Sequence, residues 1–326
     1  MKRARIVGTG SYAPSKVLTN FDLEKMVDTS DEWIVERTGI KERRIASEGE
    51  NTSDLSYKAS IIALEEAGIK GGDLDLIIVA TVTPDMFFPA TACLLQDRLE
   101  TTGIPAYDLS AGCAGFIFAL GMADQAIRCG WARKVLVVGA EILSRIMNFK
   151  DRTTCVLFAD GAGATVLVAE EGDRGILSVH LGSDGKNGHL IHIPGGGTAI
   201  PASHDSIDKG LHFIRMQGNE VFKLAVRVMG DVAVKALETN GYTPSDVSLL
   251  IPHQANLRII TACAKRLGIP MDKVYVNIEK YGNTSSASIP MALDEAVKEG
   301  RIKDGDLILM TSFGAGLSWG SALVRW

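Results

Sequence analysis

Two patterns of apolar and polar positions alternate along the 326 residues of the chain. Short aliphatic runs bounded by Gly, Pro or charged residues predict strands over 4–9, 75–80, 104–109, 134–138, 164–169, 176–181, 249–252, 274–276, 306–311 and 318–324. Longer stretches with apolar residues three or four apart predict helices over 20–26, 29–36, 57–67, 90–100, 115–130, 220–238, 257–267 and 289–299. Asn20 or Asp22 is expected to cap the first helix, and Thr52 or Ser53 the third, which stops at Gly68. Strands alternating with helices throughout predict an α/β fold with substantially parallel pairing. Residues 182–210 follow neither period and are rich in Gly, Pro, Ser and His. A long functional loop is expected there.

One stretch occurs twice. Residues 63–78, Ala-Leu-Glu-Glu-Ala-Gly-Ile-Lys-Gly-Gly-Asp-Leu-Asp-Leu-Ile-Ile, recur without a gap 173 residues later as Ala-Leu-Glu-Thr-Asn-Gly-Tyr-Thr-Pro-Ser-Asp-Val-Ser-Leu-Leu-Ile. A second echo pairs Lys134-Val-Leu-Val-Val with Asp306-Leu-Ile-Leu-Met, offset by 172. Two duplicated halves, 1–173 and 174–326, are therefore expected. Their equivalent strand ends would meet at a shared cleft.

Composition narrows the class. The chain is 46% hydrophobic but only 6% aromatic, with 34 glycines, which suits a closely packed α/β core. A net charge of −5 argues against a general nucleic-acid binder. Five cysteines without a CxxC pair predict a reducing compartment and no disulfide framework. The first residues run directly into a strand-like segment and no apolar run reaches membrane-spanning length. A cytoplasmic protein with no membrane association is expected.

Candidate chemistry centres on Asp108-Leu-Ser-Ala-Gly-Cys-Ala-Gly115, a strand, a turn of small residues and a helix start with Cys113 at the turn. A helix N-terminus favours a thiolate, although most free cysteines are buried small hydrophobes. His253 follows the buried strand 249–252, at the end expected to face the cleft. Asn283 lies in the small-residue loop Tyr281-Gly-Asn-Thr-Ser-Ser286, where turn forming and capping are the commoner roles. Ser312-Phe-Gly-Ala-Gly316 can present backbone N–H groups to an oxyanion. Dinucleotide and P-loop spacings are absent: Ala13 stands where the fingerprint opening at Gly8 needs Gly, and Gly161-Ala-Gly163 precedes a strand. His189 and His192 lack neighbouring Cys or paired acids, so no metal site is expected.

Together Cys113, His253 and Asn283 resemble the Cys-His-Asn triad of the thiolase superfamily. More narrowly, the chain resembles the bacterial β-ketoacyl-[acyl-carrier-protein] synthase III family, the initiating condensing enzymes of type II fatty acid synthesis. The matching runs are Asp31-Glu-Trp-Ile-Val-Glu-Arg-Thr-Gly-Ile40, Ala111-Gly-Cys-Ala-Gly115, His253-Gln-Ala-Asn256, Tyr281-Gly-Asn-Thr-Ser-Ser286 and Ser312-Phe-Gly-Ala-Gly-Leu-Ser-Trp-Gly320. Elongating condensing enzymes carry Cys-His-His and degradative thiolases Cys-His-Cys. Chalcone-synthase-like and hydroxymethylglutaryl-CoA-synthase-like relatives share parts of the triad but not the Trp33/Arg37 run.

The resemblance implies a thiolase-like fold, two halves each with a mixed, largely parallel sheet, stacked as α-β-α-β-α layers. It implies that Cys113 takes an acyl group from a short acyl-CoA, acetyl-CoA by default, and passes it to malonyl-[acyl-carrier protein] with loss of CO₂. Cys113 and Ala315 would supply the oxyanion hole, His253 and Asn283 two donors for the enolate, and Phe313 an apolar wall. No cofactor is implied. Thr29, Trp33, Arg37, Arg152, Gly218 and Asn256 would bind CoA. Lys223, Arg227, Arg258, Lys265 and Arg266 would meet the acidic carrier protein. Phe88 would contribute to the acyl pocket at a homodimer interface. Residues 195–210 depart from the familiar members, which leaves chain-length preference open, and Ala315 stands where Gly can occur. The alternative is a related condensing enzyme of secondary metabolism with another acceptor.

Overall fold

The computed structural model describes residues 2–326. Its first sheet has five strands in the order Lys2–Tyr12, Asp160–Glu171, Lys134–Ile142, Leu76–Ala80, Ala106–Leu109. The last three pair in parallel, where helices make the crossovers, and the first two add on antiparallel. The second sheet runs Gly175–Ser183, Ser318–Arg325, Leu307–Gly314, Leu249–Pro252, again antiparallel at one side and parallel at the other. The strand expected at 274–276 contracts to a single parallel bridge between Val274 and Leu250. That bridge is the counterpart of Ile77 with Ala106 in the first sheet. Both sheets thus share one strand order, mixed in direction.

Five layers follow. Helix Thr52–Ala67 covers the outer face of the first sheet, and helices Gly218–Thr239 and Leu257–Leu267 cover the outer face of the second. Helices Gly115–Arg128 and Ser288–Lys298 lie between the sheets and are buried around most of their circumference. A helix apolar on all sides belongs in such a layer. Among the described residues, no helix is long and apolar enough to cross a membrane.

The duplication extends to local geometry. Gly68 and Gly241 both leave their helices with positive φ, and Asp73 and Asp246 each accept from the backbone N–H three residues earlier, at 3.0 and 2.7 Å. At the same offset of 173, Gly112 (φ 55°) and Ser285 (φ 50°) each open a 3-10 turn that leads into a central helix. Cys113 therefore has Ser286 as its counterpart.

Helix starts lie next to the expected residues. Thr19, with Asp22 in a reciprocal capping box, starts Asn20–Leu23, and Ser30 caps Asp31–Thr38. Asn51, with Asp54, caps Thr52–Ala67. Residues 182–210 are less irregular than expected. They hold a 3-10 segment, Gly185–Leu190, a short strand, Ile191–His192, which pairs with Arg215–Met216 beyond the stretch, and helix His204–Asp208.

Candidate active site

A cavity of about 800 Å³ runs from the surface to Cys113, with His253, Asn283 and Phe313 in its wall. The close approach of the two halves makes it. A Cβ on Gly112 would lie 2.7 Å from the backbone N of Ala315, and one on Gly314 would lie 2.3 Å from the backbone N of Cys113. The Ser312 hydroxyl donates to the Cys113 carbonyl at 2.8 Å, tying strand Leu307–Gly314 to the turn. Glycine at 112 is required twice, by the left-handed φ and by this contact.

The expected helix start is present, and burial of the thiol opposes it. Burial pushes the Cys113 thiol up to about 11, against hydrogen bonds from Ser285 and from the backbone N–H groups of Cys113 and Ala315. The resting group is a thiol at neutral pH. Those two amides face the sulfur, where an attacking thiol would generate an oxyanion.

His253 follows strand Leu249–Pro252, with its own N–H donated to the Thr311 carbonyl at 2.8 Å. Its ring is buried, and burial pulls it down to about 3, so it is neutral. Nδ1 lies 2.6 Å from the Ser288 hydroxyl, leaving Nε2 for a ligand. When the Ser288 hydroxyl donates to Nδ1, Nε2 carries the proton and is a donor. Asn283 is oriented by the same logic. Its backbone pairs with Leu157 and Ala159, and its Oδ1 accepts from the Ser285 N–H at 2.9 Å, so Nδ2 is the free end. Two neutral donors are thereby prepared beside one thiol.

Sequence reasoning gave no role to Ser288, to Glu141 or to Ser285, although Ser285 lies within the Asn283 run. Gln254 was part of a recognised run but has a structural task. It donates to the carbonyls of Pro252 (2.8 Å) and Tyr275 (3.2 Å) and accepts from Asn277 N–H (3.1 Å), bracing the loop behind His253. The offset of 173 was the one signal available: it makes Ser288 the counterpart of Gly115, at the start of the second central helix.

At the mouth, two guanidinium groups lie near the Trp33 ring, with Arg37 Cζ 5.9 Å and Arg152 Cζ 5.0 Å from its centroid. Arg152 donates to the Asp28 carbonyl at 2.8 Å, which fixes its guanidinium. Gly218 and Asn256 line the cavity as well. Asn256 also caps helix Leu257–Leu267 by accepting from Arg258 N–H (2.8 Å), and donates to the Arg37 carbonyl (3.0 Å). Its side chain thus joins the His253 segment to the Trp33 helix.

Other expected site residues are placed differently. Thr29 does not line the cavity, and its hydroxyl is buried without a partner. Phe88 is 85% exposed and outside the cavity wall, with Phe87 beside it at 83%. The five basic residues are spread along two neighbouring helices, with Arg258 and Lys265, seven residues apart, on one face of theirs. Lys223 and Arg258 line the cavity, and Arg227 joins Lys223 at a smaller adjoining hollow. Lys265 and Arg266 sit about two turns beyond Arg258, roughly 10 Å along the helix. Arg266 is held by Asp231 at 2.5 Å. Among the described residues, no three His, Cys, Asp or Glu side chains gather as a metal site.

Comparison with known proteins bears on this geometry. A family model for 3-oxoacyl-[acyl-carrier-protein] synthase III matches residues 107–185, and one for the C-terminal part of the same enzymes matches 237–326. The beta-ketoacyl-[acyl-carrier-protein] synthase III of Caldanaerobacter subterraneus subsp. tengcongensis is 58% identical over 323 residues, covering 99% of this chain and 98% of that protein. The chain belongs to the β-ketoacyl-[acyl-carrier-protein] synthase III family. The synthase III of Thioalkalivibrio sulfidiphilus is 55% identical over the full length of both chains. The crystal structure of 3-oxoacyl-[acyl-carrier-protein] synthase III from Aquifex aeolicus VF5 superposes with a TM-score of 0.92 at 53% identity, covering 99% of this chain and 100% of that one. Membership in the synthase III family accounts for the five-layer fold and the full-length match together.

Proposed function

We propose that the chain starts fatty acid synthesis, joining a short acyl group from acyl-CoA to malonyl-[acyl-carrier protein] to give a 3-oxoacyl-[acyl-carrier protein]. The observation that carries this reading is the convergence of one thiol with two oriented neutral donors, His253 Nε2 and Asn283 Nδ2, in a single cavity.

Cys113 Sγ attacks the thioester carbonyl of the acyl-CoA, a C–S bond forms, and the resulting oxyanion accepts from the N–H groups of Cys113 and Ala315. Collapse expels the CoA sulfur, which leaves as a thiol with the proton lost by Cys113. Malonyl-[acyl-carrier protein] then enters. The bond to its carboxylate breaks, CO₂ departs, and the electron pair becomes an enolate whose oxygen accepts from His253 and Asn283. A carboxylate or a bare ring nitrogen there would repel that oxygen. Buried Phe313 gives the malonyl carboxylate an apolar wall, which favours its loss. The enolate carbon attacks the acyl-Cys113 carbonyl, the second oxyanion uses the same amides, and the Cys113 sulfur leaves and is reprotonated from water.

Trp33 beside Arg37 and Arg152 suits an adenine flanked by phosphates, by stacking and cation–π attraction. Arg37, Arg152, Lys223, Arg227 and Arg258 make a basic rim on an acidic protein, which suits an acidic carrier protein. The exposed Phe87 and Phe88 suit burial against a second copy. This reading needs no metal or redox cofactor and places the enzyme in the cytoplasm. Incubation with labelled acetyl-CoA and malonyl-[acyl-carrier protein] tests it. Labelled acetoacetyl-[acyl-carrier protein] is expected, and label transfer that survives Cys113→Ala refutes it.

A further inference from the structure

Glu141 is fully buried at the end of strand Lys134–Ile142, close enough to Cys113 that a negative charge on it would push the thiol up, and the steps above do not use it. Its two oxygens have different surroundings. Oε2 accepts from Val82 N–H at 3.1 Å and from the Thr83 hydroxyl at 2.7 Å, with the Thr81 hydroxyl at 3.3 Å. Thr83 can spare its proton because its oxygen accepts from Ile142 N–H at 2.9 Å. Oε1 meets the Ser286 hydroxyl at 2.8 Å. That same hydroxyl lies 2.8 Å from the Ala80 carbonyl.

A carbonyl only accepts, and a hydroxyl has one proton. An ionised Glu141 would leave Ala80 and Oε1 competing for the single Ser286 proton inside the protein. A proton on Oε1 resolves the conflict: Ser286 donates to Ala80 and accepts from Glu141. We infer that Glu141 is held as a neutral carboxylic acid, with Oε2 as its carbonyl and Oε1 as its hydroxyl. In this form it is a positioning residue, pinning the Asn283 loop of the second half to strand ends of the first.

Burial acts in the same direction, pushing the carboxyl above the usual range against the donors Thr83, Ser286 and Val82 at hydrogen-bond distance and the Ser285 hydroxyl farther off. Cys113 is the titratable group that faces it, with the Ser285 hydroxyl near both. The placement has a further logic. Ser286 is the counterpart of Cys113 in the duplicated register, so the second half keeps a hydroxyl at the nucleophile's position and closes it off with an acid. A neutral acid adds no charge where thiolate, oxyanion and enolate must form. The protonation state stands on hydrogen-bond geometry alone; its consequence for turnover rests on the function proposed above.

Carbon NMR of the whole protein labelled at the glutamate carboxyls tests the state directly. One resonance is expected to stay at the protonated position from about pH 5 to 8. It is assigned by its loss in Glu141→Gln or its displacement in Ser286→Ala. Finding every glutamate resonance at the carboxylate position overturns the inference. Glu141→Gln supplies a matching acceptor and donor, so the pH profile of Cys113 alkylation is expected to stay in place. A fall of about one unit, roughly tenfold more thiolate at a given pH, would mean that a negative charge had been removed, and also overturns it. For the positioning role, Glu141→Ala is expected to slow condensation with malonyl-[acyl-carrier protein] more than Cys113 acylation, and an equal effect on both contradicts it. The NMR and alkylation readouts need no substrate, so they stand or fall apart from the proposed reaction.

Discussion

Ser288→Ala isolates the part of the site that handles the enolate. The substitution removes the one partner of His253 Nδ1, 2.6 Å away, from a ring that is 2% exposed. Leaving one buried polar group unsatisfied costs about 1–3 kcal/mol. That cost falls on the tautomer the enolate needs, in which Nδ1 is the bare acceptor and Nε2 the donor. The Nδ1–H form gains by comparison and presents a lone pair to the enolate oxygen. Loss of one donor of this kind is worth about 3 kcal/mol at most sites of developing oxyanion charge. A partial loss of it predicts condensation slower by about 10- to 100-fold. Acylation of Cys113 uses the amides of Cys113 and Ala315 and is expected to change less than about threefold. The half-reactions separate cleanly: quenched intact mass gives the rate of acyl-enzyme formation, and pre-acylated enzyme mixed with malonyl-[acyl-carrier protein] gives the condensation rate. An equal fall in both, or none in condensation, refutes the reasoning.

Four other outcomes follow. Because burial places the Cys113 thiol near 11, its alkylation rate is expected to climb about tenfold per pH unit through neutrality, and a plateau below about pH 8 would show the helix N-terminus winning instead. His253 is neutral in the fold down to about pH 3, while the unfolded chain protonates it below about 6.5. Its contribution is therefore fully present above about pH 6.5 and lost as pH falls toward 3, on the order of 4 kcal/mol; His253→Asn is expected to flatten the loss of denaturation free energy over that window. Trp33→Ala removes the ring proposed to stack on the adenine, a contact worth about 1–3 kcal/mol, so KM for acyl-CoA is expected to rise about tenfold while a truncated acyl thioester lacking the nucleotide is unaffected. Phe87→Glu with Phe88→Glu is expected to convert a dimer to a monomer by light scattering, and an unchanged mass contradicts the interface assigned to this loop.

Much of this was legible along the chain because the duplication is still written in it. A gapless offset of 173 put His253 and Asn283 on loops that return to Cys113, and the structure gives both sheets one strand order. What escaped is of three kinds. Caps moved by one residue because polar residues stand side by side, as in Thr19-Asn20 and Asn51-Thr52, and only backbone geometry selects among them. The apolar run 274–276 has the composition of a strand, yet one bridge is all it forms, since register belongs to the partner and not to the run. Ser288 and Glu141 act through partners 35 and 145 residues away, and nothing local distinguishes a serine that orients a histidine from one that starts a helix. Charge patterning along the chain also could not show which basic residues meet an acid, as Arg266 does with Asp231 and Lys223 with Glu220.

The central claim is that Cys113 carries the acyl group between two substrates, and intact mass spectrometry tests it most directly. The protein exposed to acetyl-CoA is expected to gain one acetyl group on Cys113, to lose it when malonyl-[acyl-carrier protein] is added, and to gain none as Cys113→Ala. An adduct that persists after the malonyl substrate is added, or one that forms on Cys113→Ala, contradicts the account.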